Sequence, residues 1–192
     1  MESGSLYLAA LIFDCDGTLV DSMPAHYRAW ADTLARHGIE FTERRFYELA
    51  GVPTDRVAAT VAAEQGVTLD PVAVARQKDE QFLRCLDRVE AFEPVAAVAR
   101  EYRGVLPMAV ASGSSRSLVE RELAHLGMLD WFDVVLCAED VPVPKPAPDI
   151  FLVAAQRLGM EPFRCIVYED SDLGIQAAIA AGMQFVDARR LR

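Results

Sequence analysis

Six apolar residues, Leu8-Ala9-Ala10-Leu11-Ile12-Phe13, run without a polar break and stop at Asp14-Cys15-Asp16-Gly17-Thr18. A run this short, with no polar face and a glycine just beyond it, suits a strand buried on both sides better than a helix. Strands buried on both sides belong to parallel sheets covered by helices, so this segment alone narrows the fold sharply.

The pattern returns in Pro107-Met108-Ala109-Val110-Ala111, Asp133-Val134-Val135-Leu136-Cys137, Cys165-Ile166-Val167-Tyr168 and Gln184-Phe185-Val186. Between these runs, Ser117 to Leu126, Asp149 to Leu158 and Asp172 to Ala181 carry helical spacing and end near Gly127, Gly159 and Gly182. Strand and helix alternate, which predicts an α/β fold, a doubly wound parallel sheet of Rossmann-like type.

From about Asp21 to Glu90 the alternation fails. Apolar residues recur at helical spacing there (Trp30 and Leu34, Val57 and Val61, Phe82 and Leu86) with no strand-like run. The expected organisation is a core built from residues 1–20 and 91–192, with 21–90 inserted as a small α-helical cap. At 192 residues and 52% hydrophobic composition the chain has room for one core and such an elaboration. Ligands of open parallel sheets bind at the carboxyl ends of the strands, and an insertion after the first strand lies over that edge as a lid.

The tips expected at that edge are Asp14-Cys15-Asp16-Gly17-Thr18, Ser112-Gly113-Ser114, Lys145 between Pro144 and Pro146, and Glu169-Asp170-Ser171. Carboxylates crowded together repel unless a cation sits among them, and Mg²⁺ prefers oxygen ligands, with Asp14 and Asp170 as the obvious pair. The Ser112 hydroxyl, the N–H groups of Gly113 and Ser114 and the Lys145 ammonium suit a phosphate. Phosphoryl transfer needs charge neutralisation and in-line positioning, so Asp14 serves as nucleophile and Asp16 as proton shuttle. The plainer alternatives are turn capping by the aspartates, a helix N-cap at Ser112, a surface role for Lys145, and Glu169 and Asp170 in a helix's first turn.

These four motifs, in this order, resemble the haloacid dehalogenase superfamily over nearly the whole chain, from Leu8 to about Ala188. The resemblance implies Asp14 as nucleophile and Asp16 as general acid and base. It implies Ser112 and Lys145 as phosphate binders, joining the Gly113 N–H read above, and Asp170 as a Mg²⁺ ligand with Glu169 in support and Asp16 adding its backbone carbonyl, which with Asp14 completes the metal set. A second aspartate at Asp16 points away from the dehalogenase and phosphonatase branches and toward phosphate esters.

Asp21-Ser22, His26, Ala29-Trp30 and Lys78 resemble the cap of beta-phosphoglucomutase-like proteins, implying that His26 lies near the hinge and that Lys78 faces substrate. Where the mutase has a cap arginine for a second phosphate, this sequence offers Thr54, with Arg56 two positions on. The later motifs look like bacterial fructose-1-phosphate and 6-phosphogluconate phosphatases. The expected function is Mg²⁺-dependent hydrolysis of a sugar phosphate or sugar-acid phosphate. The alternatives are a mutase and, beyond it, a binding or regulatory protein without turnover.

A net charge of -10 and a pI near 4.8 leave little attraction for nucleic acid or anionic membrane, so an anionic substrate must be held by local cations. Cys15, Cys85, Cys137 and Cys165 form no CxxC pair and read as buried thiols. Met1 to Tyr7 lack a leader pattern, and no apolar segment nears ~20 residues. A cytoplasmic monomer acting on a small phosphorylated metabolite is the expectation.

Overall fold

The computed structural model describes residues 10–192. Leu8 and Ala9 of the first run, and the leader question at Met1 to Tyr7, lie outside the described residues. Ala10–Phe13 forms β1, buried throughout. Ala10 and Ile12 enter one apolar cluster while Leu11 and Phe13 enter another, the two-residue alternation of a strand with helices on both sides. Burial of both faces is why the run tolerates no polar residue.

The chain then leaves the sheet and builds four helices: α1 (Met23–Ala35), α2 (Glu43–Glu48), α3 (Thr54–Glu64) and α4 (Pro71–Leu83). Local chemistry fixes their starts. The Thr42 side chain accepts from the Arg45 N–H, the Asp70 side chain accepts from the N–H groups of Val72 and Ala73, and Pro24 and Pro71 sit in first turns. α4 packs against α1 and α3. Trp30, Leu34, Phe46, Val57 and Val61 share a separate apolar cluster, as their spacing predicts.

Phe82 departs from its expected pairing with Leu86 on one helix. α4 stops at Leu83, Leu86 opens a short 3₁₀ turn, and Phe82 packs into the cluster under the sheet. The two crossings of the chain lie side by side: Val20 bridges Ala91, the Asp21 N–H donates to the Glu90 carbonyl (2.8 Å) and the Phe92 N–H donates to the Leu19 carbonyl (2.9 Å).

Back at the sheet follow α5 (Glu93–Tyr102), β2 (Met108–Ala111), α6 (Arg116–His125), β3 (Val134–Leu136), α7 (Asp149–Arg157), β4 (Cys165–Glu169), α8 (Asp172–Ala180) and β5 (Gln184–Asp187). All pairings are parallel, in the order β3-β2-β1-β4-β5. α5 and α6 cover the face of Leu11 and Phe13; α7 and α8 cover that of Ala10 and Ile12. The fold is therefore the doubly wound sheet that the sequence predicts. Phe13 stacks on Tyr168 with ring centroids 5.0 Å apart, and burial of one such ring is worth about 1.5–3 kcal/mol. Among the described residues no helix is long and apolar enough to cross a membrane.

Candidate active site

β1, β2 and β4 end side by side, and each ends in a polar tip. Asp14 follows Phe13, its N–H donating to the Tyr168 carbonyl (3.0 Å), while the Ser112 N–H donates to the Leu136 carbonyl (3.0 Å). Register alone thus brings Ser112 and Asp170 beside Asp14 from distant parts of the sequence.

Lys145 arrives from the loop after β3. Its Nζ donates to Asp14 Oδ1 (2.8 Å) and to Glu169 Oε2 (2.6 Å), and all three side chains are buried. Glu169 Oε1 accepts from the N–H groups of Asp170 (3.1 Å) and Ser171 (2.9 Å) and from the Ser171 hydroxyl (2.8 Å), so both its oxygens are engaged. Ser171 Oγ in turn accepts from the Gly174 N–H and caps α8.

Asp14, Glu169 and Asp170 each place a carboxylate oxygen within 4.8 Å of the others, the hard-oxygen crowding that suits a divalent cation. Burial raises the Asp14 carboxyl well above its usual range, the neighbouring Glu169 and Asp170 raise it further, and Lys145 opposes. Asp170 is pushed up to about 7 by burial and then by Glu169, with Lys145 opposing and the Thr18 hydroxyl donating to it at 3.3 Å. Lys145 is held above its usual value, because Asp14 and Glu169 outweigh its burial. Gly17 lets the loop lie against this group: its φ is +78°, and a Cβ there would stand 2.1 Å from Asp170 Oδ2.

Asp16 forms a second centre. Its Oδ1 accepts from the Ser22 hydroxyl (2.6 Å) and meets His26 Nε2 at 2.7 Å, and its Oδ2 accepts from the Ser114 hydroxyl (2.6 Å). Burial pushes this carboxyl up, but His26 and the three hydrogen bonds outweigh burial and hold it well below the ordinary range. Burial and the nearby Lys78 hold His26 below its usual value. The imidazole lies flat on Phe82, ring centroids 3.9 Å apart, so the cap carries it to the sheet edge. Glu122, on α6 behind this pair, is fully buried.

One cavity joins the two centres and extends under the cap. Among the residues lining it are Asp14, Asp16, His26, Ser112, Gly113, Lys145, Glu169 and Asp170, with Thr54 and Lys78 on the cap side. Every site residue singled out in the sequence thus borders one cavity. Lys78, expected to face substrate, is buried, 3.3 Å from Asp79 and over the rings of Trp30 and Phe82. Ser112 Oγ accepts from the Ser114 N–H (3.0 Å), the local turn expected of a cap. The helix N-cap itself is Ser115, so Ser112, which lines the cavity, is not spent on capping α6. Gly51, φ +81°, rests the cap loop against the core, where a Cβ would be 3.1 Å from Ser171 Oγ. Sequence reasoning placed Ser22 and Ser114 in motifs but missed their side chains as partners of Asp16, and it missed Glu122, which no motif or spacing marks.

The elevated Asp170 carboxyl has a measurable consequence. The unfolded group titrates near its ordinary 3.8 and the folded one near 7, so the folded state holds its proton more tightly. Its contribution to stability is present at low pH and lost as pH rises through about 4 to 7. In chelator, the melting temperature is expected to fall over that range, and Asp170→Asn to flatten the fall and melt higher than wild type at pH 8. A steeper fall in the variant would contradict this electrostatic picture.

The sequence profile of the haloacid dehalogenase-like hydrolases matches residues 8–182. The Escherichia coli K12 protein named fructose-1-phosphate phosphatase YqaB is 45% identical over 184 residues, covering 95% of this chain and 97% of its own length. Hexitol phosphatase B of E. coli K12 is 31% identical over 188 residues, covering 93% and 82%. Among solved structures, CbbY from Rhodobacter sphaeroides in complex with phosphate has a TM-score of 0.84 at 27% identity, covering 93% of this chain and 84% of that one. The beta-phosphoglucomutase from Clostridium difficile has a TM-score of 0.85 at 25% identity, covering 94% and 84%.

Proposed function

We infer, from the premise that this chain belongs to the haloacid dehalogenase-like hydrolase family, that it is a phosphatase of small sugar phosphates or sugar-acid phosphates. The observation that carries the reading is the pairing, in one cavity, of Asp14 tied to Lys145 with Asp16 held by Ser22, Ser114 and His26.

Asp14, Asp170 and the Asp16 carbonyl are the groups we assign to Mg²⁺, which when bound offsets the charge of the phosphoryl group and of Asp14. Glu169, with both oxygens engaged, aims Lys145 and the Asp170 backbone. Lys145, Ser112 and the Gly113 N–H hold the phosphoryl oxygens, and the Asp14 carboxylate attacks phosphorus. The Asp16 carboxylate, held ionised before substrate binds, takes up a proton as the anionic substrate enters beside it and passes it to the departing alcohol oxygen, leaving an aspartyl phosphate on Asp14. Asp16 then takes a proton from the water that attacks this acyl phosphate, releasing phosphate and restoring both aspartates.

We take residues 21–90 as a cap over a core of 1–20 and 91–192, because the crossings at Asp21 and Glu90 lie side by side and the insertion has its own apolar cluster. Thr54 and Lys78 would meet the sugar. Arg56 is exposed, and no arginine is among the described residues that line the cavity, where Lys78 is the cation from the cap, so the cavity offers no guanidinium for a second phosphate. That favours hydrolysis over mutase chemistry, which must grip a bisphosphate. Four free thiols suit the reducing cytoplasm, and one chain's own cap covers the cavity, so a monomer suffices.

The test is phosphate release from fructose 1-phosphate, 6-phosphogluconate, beta-glucose 1-phosphate and an aryl phosphate, with Mg²⁺ or with chelator. Mg²⁺-dependent release, fastest from a sugar monophosphate, is expected. Conversion of beta-glucose 1-phosphate to glucose 6-phosphate with no free phosphate would instead establish the mutase.

A further inference from the structure

Glu122 is a polar side chain in a place where an apolar one belongs. It lies on the buried face of α6 beside Leu118, Val119 and Leu123, beneath the sheet, with 0% exposure. Oε2 receives the Cys15 thiol at 3.8 Å, a weak donor, and Oε1 has no hydrogen-bond partner. Buried polar groups in folded proteins are nearly always satisfied, and an exception calls for a reason.

The surroundings supply one. Cys15 stands between Asp14 and Asp16, and Glu122 Oε1 points at His26 Nε2 from 3.8 Å, on a nitrogen already 2.7 Å from Asp16 Oδ1. One oxygen, one nitrogen and one oxygen of Asp16, His26 and Glu122 all fall within 4.8 Å of one another. The imidazole therefore arrives on the cap, backed by Phe82, into a cradle of two carboxyl groups fixed to the core. Asp16 sits on a loop, whereas Glu122 sits on a helix packed into the sheet.

We propose that Glu122 is a positioning residue: its buried carboxyl group, anchored on α6, holds the His26 imidazole in line with Asp16 when the cap is closed. The inference rests on the reading of Asp16 as the acid and base of a phosphatase. A fixed carboxyl group 3.8 Å from Nε2 narrows the orientations open to the imidazole, and small errors in the placement of such groups lower turnover steeply. Because Glu122 does not touch the phosphate-binding tips, its removal acts on turnover and spares substrate binding.

Two variants and one independent probe test this. Glu122→Leu removes the carboxyl group and suits the apolar site; Glu122→Gln keeps the shape and one carbonyl oxygen. A kcat about tenfold lower with KM within about twofold is expected for Leu, with a milder loss for Gln. The melting temperature of the Leu variant is expected to stay level or rise, opposite to the loss that a structural role would give. In a His26→Gln background the Leu substitution is expected to change kcat by less than about twofold. The chain has three histidines, so imidazole ¹⁵N spectra isolate His26, and its Nε2 signal is expected to shift in Glu122→Leu. Unchanged kcat and His26 signal, or full additivity with His26→Gln, would overturn the proposal. Absence of phosphatase activity in wild type, with the His26 shift still present, would instead overturn the functional reading and leave the positioning intact.

Discussion

Asp14→Asn lowers kcat by about 10⁴-fold or more while the protein stays folded and still binds substrate. The amide has nearly the shape of the carboxyl but carries no charge and cannot supply the attacking oxygen. Loss of a covalent nucleophile removes the pathway rather than slowing it, and such losses exceed those from any single stabilising contact. Stability points the other way. Burial and the neighbouring Glu169 and Asp170 disfavour charge at Asp14, so removing that charge relieves repulsion, and the metal-free variant is expected to melt no lower than wild type. Acid quenching of enzyme turning over ³²P-labelled substrate checks the chemistry directly. Wild type should carry label that hydroxylamine releases, and Asp14→Asn should carry none. A variant that keeps more than about a tenth of wild-type kcat would place the nucleophile elsewhere.

The sheet was legible because the chemistry of its strands is repetitive. Short, mostly apolar strands, Ala10–Phe13 and Met108–Ala111 buried throughout and Cys165–Glu169 alternately buried and half-buried, leave a signal that survives without an alignment, and Asp14, Ser112 and Asp170 follow directly where these strands end. Lys145 was legible for a related reason, since it stands between two prolines in a loop after β3. What was not legible depends on convergence in space. Ser114 reaches Asp16 across 98 positions and Cys15 reaches Glu122 across 107, and neither separation carries any period. Lys78 was legible only through the resemblance of the cap, because Gln77, Asp79 and Glu80 around it give no local sign that α4 turns it inward over two aromatic rings. Phe82 reads as cap core, but near the end of its helix it faces the sheet and backs His26. Helical spacing says that a face is buried; it does not say against which neighbour.

Lys145→Met shows how far the site's stability depends on the same ion pairs as its chemistry. The thioether has about the length of the lysine stem but leaves Asp14 and Glu169 facing each other without the ammonium that now donates to both. Removing one partner of a buried charged group typically costs about 3–5 kcal/mol, which for a domain of this size is a drop of many degrees in melting temperature. The deficit should shrink as the pH falls and the stranded Asp14 carboxyl, already raised by burial, takes up its proton, and grow toward pH 8. Mg²⁺ should restore part of the stability by neutralising Asp14, although turnover, which needs the ammonium on a phosphoryl oxygen, should stay about 10³-fold down. The double variant Lys145→Met with Glu169→Gln separates the two effects. It removes one of the stranded charges, so its melting temperature should recover much of the loss, making the pair strongly non-additive, while kcat stays low. Recovery of turnover together with stability would mean that Lys145 serves only to pair the carboxylates and makes no contact with the phosphoryl group.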